Sequence, residues 1–583
     1  MILLNKLSNG QVFTKLLLSI LLLSACSAPK TESPSTSPPV AASGATGNTL
    51  RLLYWQAPTI LNPHLAQGNK DFEASRITYE PLASFDKEGK LVLFLAAEIP
   101  TLENGGLAKD GKSVTWKLKQ GVKWSDSKPF TSADVVFTYK FLSNPAVAST
   151  TADNYQAIKS VEAIDDYTVK INFQNPNPAW LLPFVGSSGL ILPRHIFEAY
   201  NGKNAREAPA NLVPVGTGPY KVVEFKPGDT VTYEPNSFFR EANKPFFKRV
   251  ELKGGGDATS AARAVLQTGD VDYAWNLQVE APILKQLETA GKGKLDISLG
   301  SFSERITINQ TDPNKQTKDG DRSNLEFPHP FFKDLKVRQA FNYAIDRNTI
   351  AQQLYGSGGR PTANILVAPD VYNSPNTKYE FDLKKAANLL DEAEWKDTNG
   401  NGIRDKNGVE LKVLFQSSVN PVRQKTQEII KQGLTSIGVG VELKSIDPSI
   451  FFSSDPTNPD TLAHFYADLQ IFTSGNINPD PGSYMKAWTC NEIAQKKNNW
   501  SKSNNSRYCN PEYDKLWQKS TTELNPEKRR QLFIQMNDLL IKDVAVIPVI
   551  ARTEVNGVSN RLAGVEATPW DSRTWNIKDW QVK

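Results

Sequence analysis

The feature that most constrains the fold is a continuous stretch of globular composition from Leu50 to Lys583. No internal repeat or low-complexity segment interrupts it, and none of its apolar runs is long enough to span a bilayer. A stretch of this length can build two or three domains, each with a core of its own. The sequence therefore predicts a large multidomain body without transmembrane helices.

Strand-like and helix-like patterns alternate along this stretch. Apolar residues recur at every second position in the segments 50–54, 114–118, 169–173, 231–233 and 439–443. Helical spacing predicts a helix that is opened by Asp334 and stopped by Gly356, a second after Asp382, a third that ends at Gly438 and a fourth after Asn525. Strands and helices mixed in this order favour an α/β fold.

The charge balance and the motif content exclude several functions. The 67 basic residues nearly match the 62 acidic ones, and no basic run suggests a nucleic-acid partner. The four histidines lack metal-ligand spacing, and no phosphate-binding loop or nucleophile motif occurs, so we expect no cofactor and no enzyme activity. A secreted hydrolase with the carboxylates Asp468 and Asp480 is the alternative from another class.

The first residues resemble the signal of bacterial lipoproteins. Lys6 and Lys15 flank the apolar run 16–23, and Ser24-Ala25-Cys26 follows. The resemblance implies a signal peptide at 1–25, a lipid on the Cys26 thiol, and attachment to a membrane that the chain does not cross. The segment 26–48 is rich in Ser, Thr, Pro and Gly and is predicted to be a disordered tether. An ordinary secretory signal with a chance cysteine is the alternative.

Apart from Cys26, the chain has two cysteines, Cys490 and Cys509. An even pair in an oxidising compartment favours a disulfide. This bond would close a polar loop that has no apolar pattern to hold it otherwise. Two buried free thiols are the alternative.

The segment 116–137, WKLKQGVKWSDSKPFTSADVVF, is predicted to be two strands followed by a helix with Thr131 as N-cap and Asp134 completing a capping box. It resembles the signature of family 5 of the solute-binding proteins of ABC importers, the peptide/nickel-binding group. The family commonly has Asp-Gly where this chain has Asp126-Ser127. Further matches follow in the family's order at 61–63, 79–82, 214–220, 337–340, 344–347, 437–439, 510–514 and 529–548.

The resemblance implies an α/β fold of the periplasmic-binding-protein class II, with two hinged lobes and an extra inserted domain (cluster C type). Lobe I would comprise residues 49–85, 211–300 and 552–583, the inserted domain 86–210, and lobe II 301–551. The implied partners are the transmembrane subunits of an ABC permease and separate ATPase subunits. We expect the protein itself to be a monomer.

In peptide-binding relatives an aspartate holds the ligand's amine within a stretch that corresponds here to 472–480. Phe472 replaces a tryptophan of that stretch, and Gly475 stands where the acid would be. Asn476 and Asp480 are candidate ligand contacts in the same stretch, and Asp480 or Asp468 could take over the role of the acid. A turn residue between two prolines is the alternative role of Asp480.

Four further residues correspond to ligand-contacting positions of relatives or lie close to them. Trp55 and Gln56 follow the first strand, and Arg423 lies where relatives have arginines near a ligand carboxylate. Trp488 stands beside the predicted disulfide and could stack on a ligand. The alternatives are a solvated first-turn residue of a helix for Arg423 and ordinary packing for Trp488.

The segment 397–405 partly matches a calcium-binding loop. Asp397, Asn399, Asn401 and Asp405 supply oxygens at positions 1, 3, 5 and 9, with glycine at position 6. Position 12 is Gly408, so the bidentate glutamate is missing. A plain β-turn is the alternative.

Together these features predict a lipid-anchored receptor on the periplasmic face of the cell envelope. It would capture short peptides by lobe closure and deliver them to the permease. An oligosaccharide is the alternative cargo, because the amine-holding acid is missing. A chaperone or signalling receptor without transport is a third possibility.

Overall fold

The computed structural model describes residues 48–66, 68–298, 300–453 and 456–583. The predicted signal peptide, Cys26 and all of the predicted tether except its last residue lie outside this part. Within the described ranges, no helix has the length and apolarity needed to cross a membrane.

Two large sheets and four small ones organise the described chain. The strands, in chain order, are β1 (Thr49–Tyr54), β2 (Ala83–Phe85), β3 (Leu91–Leu93), β4 (Ser113–Lys117), β5 (Ile158–Asp165), β6 (Thr168–Phe173), β7 (Tyr220–Lys226), β8 (Thr230–Pro235), β9 (Arg249–Gly254), β10 (Tyr273–Trp275), β11 (Gly293–Ser298), β12 (Phe302–Ile308), β13 (Gly359–Pro361), β14 (Asp405–Lys406), β15 (Val409–Glu410), β16 (Lys412–Ser418), β17 (Gly440–Ile446), β18 (Leu469–Gly475), β19 (Val546–Arg552), β20 (Glu554–Ser559), β21 (Leu562–Ala563) and β22 (Gln581–Val582).

Helices cover the faces of these sheets. The α-helices are α1 (Asn69–Arg76), α2 (Ser132–Ser143), α3 (Arg194–Phe197), α4 (Ala258–Arg263), α5 (Ala281–Glu288), α6 (Leu335–Tyr343), α7 (Arg347–Ile350), α8 (Leu383–Glu392), α9 (Pro421–Ser436), α10 (Pro448–Phe451), α11 (Gly482–Lys486), α12 (Pro511–Ser520) and α13 (Pro526–Lys542). Turns of π-helix, Ala264–Thr268 and Ala351–Tyr355, extend α4 and α7.

The first large sheet has seven strands in the order β11-β20-β10-β1-β9-β8-β7. Its central strand β1 runs parallel to β9 and to β10, and the remaining pairs are antiparallel. Alternate residues of β1 point into one core, because side chains on a strand face the two sides in turn. Leu50, Leu52 and Tyr54 are accordingly fully buried.

The second large sheet has six strands in the order β13-β19-β12-β18-β16-β17. Its strand β16 runs parallel to β17 and to β18, whereas β12 is antiparallel to both of its neighbours. Ile306 and Ile308 of β12 join the core beneath α6, α8 and α9. A separate core that contains Met485 and Phe533 lies among the helices α11 to α13.

A third unit is built on the small sheet β4-β6-β5. Trp116 and Trp124 are fully buried in its core, together with residues of α2. The mixed α/β architecture with two lobes and an additional unit is the one predicted from the sequence.

The predicted helix starts are confirmed. The capping box of Thr131 and Asp134 opens α2, and the side chains of Asp334, Asp382 and Asn525 accept amide hydrogen bonds at the starts of α6, α8 and α13. These caps are local and therefore readable from sequence.

The predicted continuous helix from Asp334 to Gly356 is wrong. The helix α6 ends at Tyr343, and Asp346 opens α7 by accepting from the Thr349 amide at 3.0 Å. Because Asp346 caps a new helix, the chain forms two helices where the spacing of apolar residues alone predicts one.

Two adjacent segments join the large sheets. The chain passes from the seven-stranded sheet to the six-stranded sheet between Ser298 and Phe302, and it returns between Arg552 and Glu554. A methyl group on Gly300 would lie 2.2 Å from the carbonyl oxygen of Arg552, so the two crossings pass each other closely. Such paired crossings form a hinge. The exact domain boundaries proposed from the sequence stay predictions.

The turn at Ser127 gives a test of local backbone strain. Ser127 has φ 75°, a left-handed conformation that disfavours side chains, and nearby Gly121 has φ 74° with open space around it. We expect Ser127→Gly to stabilise the third unit by about 1 kcal/mol and Gly121→Ala to destabilise it by about the same amount. Urea unfolding followed by tryptophan fluorescence measures both, and shifts of the same sign would contradict this account.

Candidate functional site

The carboxyl ends of the parallel strands mark the candidate cleft. In the first lobe β1, β9 and β10 end at 54, 254 and 275, and in the second β16, β17 and β18 end at 418, 446 and 475. Ligands of open α/β sheets bind outside the carboxyl ends of the strands. The cleft between these two edges is therefore the candidate site.

Polar contacts connect the lobes across one side of this cleft. The Nδ2 atom of Asn420 donates to Gln278 Oε1 at 2.7 Å, and Lys425 Nζ lies 2.8 Å from both carboxylate oxygens of Glu280. A cavity of about 40 Å³ lies beside these contacts and takes its walls from both lobes. Glu304, Arg423 and Arg552 are among its lining residues. The two lobes are thus in contact in this structure.

The loop that follows β18 approaches the turn between β2 and β3, and that turn also approaches Trp570. A methyl group on Gly89 would lie 3.4 Å from Pro479 Cγ and 3.8 Å from Trp570 Nε1. The segment 476–480, which includes the predicted ligand contacts Asn476 and Asp480, therefore lies close to the turn at Gly89.

Trp55 and Gln56 lie at the edge of the first lobe. Both directly follow β1 and are half-buried. The indole nitrogen of Trp55 donates to the carbonyl oxygen of Asn276 at 2.8 Å, which fixes the ring beside the end of β10. Their contact with a ligand stays a prediction.

Arg423 is buried in the first turn of α9 rather than solvated. Its Nε donates to Glu304 Oε1 at 2.5 Å, its Nη1 donates to Ser418 Oγ at 2.8 Å, and its Nη2 donates to Thr473 Oγ1 at 3.1 Å. A ligand carboxylate would have to compete with Glu304 for this guanidinium. Its predicted role in carboxylate binding is untested.

The carboxyl group of Glu304 is ionised by its surroundings. Burial alone would raise its pKa, but the charge of Arg423 and the hydrogen bonds from Arg423 and Thr473 outweigh burial and lower the pKa below its ordinary value. The charges of Glu304 and Arg423 therefore neutralise each other, and their hydrogen bonds hold both side chains rigidly at the base of the cleft.

Phe472 and Trp488 belong to an aromatic cage that sequence reasoning did not find. Both are buried, and together with Tyr484 they surround the guanidinium of Arg305. The Arg305 Cζ atom lies 4.7 Å from the ring centre of Phe472, 5.8 Å from that of Tyr484 and 5.6 Å from that of Trp488. The adjacent charges Glu304-Arg305, in a strand whose other residues are uncharged and buried or half-buried, are the signal that could have identified this site.

The candidate carboxylates are paired within the protein. Asp480 forms a bidentate ion pair with Arg529 and also accepts from the Gly482 amide at 2.9 Å. Asp468 accepts from the Leu414 amide at 2.7 Å and lies 3.0 Å from His329 Nε2. The two groups thus belong to separate hydrogen-bonded clusters.

Asn476 is buried and bridges two loops. Its Nδ2 donates to the carbonyl oxygens of Ala368 at 2.8 Å and Asn478 at 3.0 Å. Its Oδ1 is buried and has no hydrogen-bond partner within the described residues. The contact of Asn476 with a ligand stays a prediction.

The predicted disulfide between Cys490 and Cys509 is present. It closes the loop that follows α11 and so lies next to the aromatic cage at Trp488 in the chain.

The loop with Asp397, Asn399, Asn401 and Asp405 is held by its own hydrogen bonds. The carboxylate of Asp397 accepts from the amides of residues 400, 401 and 402, and Asp405 accepts from Thr398. No group of three or more acidic, histidine or cysteine side chains suited to a metal ion occurs in the described ranges. Calcium binding by this loop stays a prediction.

Comparison with known proteins gives consistent matches along the chain. The model of the bacterial extracellular solute-binding proteins, family 5 Middle, matches residues 95–495. The oligopeptide-binding protein AppA of Bacillus subtilis is 30% identical over 523 residues, which cover 86% of this chain and 90% of AppA. The glutathione-binding protein GsiB of Pectobacterium atrosepticum is 28% identical over 389 residues, 67% of each chain.

Solved structures share the fold. NikZ from Campylobacter jejuni in complex with Ni(L-His) superposes with a TM-score of 0.77 at 24% identity over 92% of this chain and all of NikZ. AppA from Bacillus subtilis in complex with a nonapeptide gives 0.74 at 25% identity over 92% and 99% of the two chains. These matches confirm the predicted two-lobed fold class.

The Glu304–Arg423 pair gives a stability test. Glu304→Gln leaves Arg423 buried without a counter-charge, so we expect a loss of about 3–5 kcal/mol in the free energy of unfolding. Glu251→Gln, which removes the half-exposed partner of Arg249, is the control and should cost less than about 1 kcal/mol. Urea unfolding of both variants measures the difference, and equal costs would contradict the assignment.

The same pair predicts a pH dependence. Because the pKa of Glu304 is lowered in the folded protein, its contribution is complete above the ordinary value of about 4.3 and is lost as the pH falls through the folded pKa. Between about pH 4.3 and the lower pKa of Glu304 in the folded protein, the free energy of unfolding of the wild type should fall more steeply with decreasing pH than that of Glu304→Gln.

Proposed function

Because the chain belongs to the bacterial extracellular solute-binding proteins of family 5, we propose that it captures short peptides between its lobes and delivers them to an ABC permease. Members of this family bind solutes and are not enzymes, which removes the hydrolase alternative. AppA, with 30% identity over most of both chains, is an oligopeptide-binding protein and supports peptide as the cargo.

The observation that carries this proposal is an open strand edge in the cleft. The strand β12 pairs with β18 along its whole length to Gly475, whereas β16 pairs with β18 only at 469–471. The last four residues of β18, 472–475, therefore have no strand partner on the β16 side within the described chain. An extended peptide can add to such an edge through its main chain, independently of its sequence.

Some of the predicted contact residues lie on or next to this edge. Phe472 lies on the open segment and Asn476 directly follows it, while Trp55 and Gln56 directly follow β1 in the other lobe. Main-chain pairing would hold the peptide backbone, and the neighbouring side chains would select its residues. Closure of the hinge would then bury the peptide between the lobes.

The location of the protein follows from the same proposal. A signal peptide at 1–25, a lipid on Cys26 and a tether at 26–48 would hold the body at the periplasmic face of a membrane. The permease and its ATPase subunits would be separate chains that recognise the closed monomer.

Native mass spectrometry and calorimetry test the cargo. We expect protein purified gently from cells to retain peptides, and the released mixture to bind again with measurable heat. Peptides incubated with the protein should be recovered unaltered. A retained hexose oligomer without peptide would overturn the proposal in favour of the oligosaccharide alternative.

A further inference from the structure

Four arginines lie near the cleft wall of the second lobe, and two of them are neutralised by a carboxylate. Arg423 is paired with Glu304, and Arg529 is paired with Asp480. Arg305 forms no ion pair with any carboxylate of the described residues, although it is only 6% exposed. Arg552 also lacks an ion pair, but its Nη1 donates to Thr473 Oγ1 at 3.2 Å. Arg305 is the one guanidinium of the four with neither a carboxylate nor a hydrogen-bond acceptor among the described residues.

The guanidinium of Arg305 also lacks hydrogen-bond acceptors. Its Nε and Nη1 atoms are buried without a partner among the described residues. The three surrounding aromatic rings offset part of the cost of burying the charge, but no described residue accepts a hydrogen bond from these two N–H groups. Buried charges in proteins are paired, and a buried arginine without a carboxylate is poised to receive one.

The neighbouring groups around Arg305 are further donors. The hydroxyl of Tyr484 and the indole N–H of Trp488, on two of the caging rings, are buried without partners in the described structure. Ser303, on the same face of β12, likewise has a buried hydroxyl without a partner. This concentration of donors around one cation matches the acceptor-only chemistry of a carboxylate.

The cage lies beside the open strand edge. Arg305 pairs in register with Phe472, the first residue of the unpaired segment 472–475. A ligand group that reaches across this edge would meet the guanidinium.

Position 475 has no room for the acid that would hold a ligand amine. A methyl group on Gly475 would lie 2.1 Å from the carbonyl oxygen of Ser301 and 2.7 Å from the ring of Phe302. No side chain fits, so an acid that would hold a ligand amine is excluded at this position. The remaining candidate in the loop, Asp480, is already paired with Arg529.

From these observations we infer that Arg305 and its aromatic cage form a subsite for a carboxylate of the ligand. The inference rests on the proposed peptide-binding function and names the charge that the site selects. The carboxylate is either the carboxyl terminus of the peptide or an acidic side chain, and Arg305 would hold it by paired N–H donors.

Matched peptides test this subsite on the wild-type protein. For peptides that bind, calorimetry compares the free acid with the carboxyl-terminal amide, and glutamate-containing with glutamine-containing forms. Either the carboxyl-terminal amide or the glutamine form should bind about 10- to 100-fold more weakly than its charged counterpart. The form that loses affinity identifies the source of the carboxylate. Equal affinity in both comparisons would overturn the subsite while leaving peptide binding intact. Absence of binding by any peptide would overturn both proposals.

A variant pair assigns the effect to Arg305. In Arg305→Gln the preference for the charged peptide should disappear, because the neutral amide no longer distinguishes the two forms. Arg322→Gln is the control, since Arg322 also stacks on a ring, that of Tyr466 at 4.6 Å, but bonds to the carbonyl oxygen of Pro313. The control should keep the full preference. An unchanged preference in Arg305→Gln would contradict the assignment.

Discussion

The antiparallel pairing of β12 with β18 positions the residues of the second lobe that line the cleft. It runs in register from Phe302 opposite Gly475 to Ile308 opposite Leu469. Phe302 follows the first hinge crossing directly, so this pairing ties the hinge to the floor of the second lobe. Because Gly475 admits no side chain, the two strands can approach closely where the cleft begins.

The alternation of side chains on β12 divides the site into two parts. One face carries Glu304, which is neutralised by Arg423 and stiffens the wall near the hinge. The other face carries Arg305, whose charge is held only by aromatic rings. One strand therefore supplies both a structural ion pair and an available cation. The first stabilises the lobe, and the second gives the cleft its selectivity.

The sequence predicted what local chemistry determines. The caps of α2, α8 and α13 could be predicted because each capping side chain bonds an amide a few residues away. The strand alternation could be predicted from residue spacing alone, and the disulfide because no other cysteine competes for the pair in the globular part of the chain. The break after Tyr343 was missed because two helical patterns run together there. Arg305 was missed for a different reason: its ring partners come from β18, from α11 and from the turn after α11, more than a hundred residues away, and only the fold brings them together. The pairing of Arg423 with Glu304 is non-local in the same way.

The central claim is that the two lobes close on a captured peptide around the hinge at 298–302 and 552–554. Small-angle X-ray scattering of ligand-free protein and of protein saturated with a peptide that calorimetry shows to bind tests it most directly. The account predicts a smaller radius of gyration in the saturated sample. Identical scattering curves, with binding confirmed in the same samples, would contradict it.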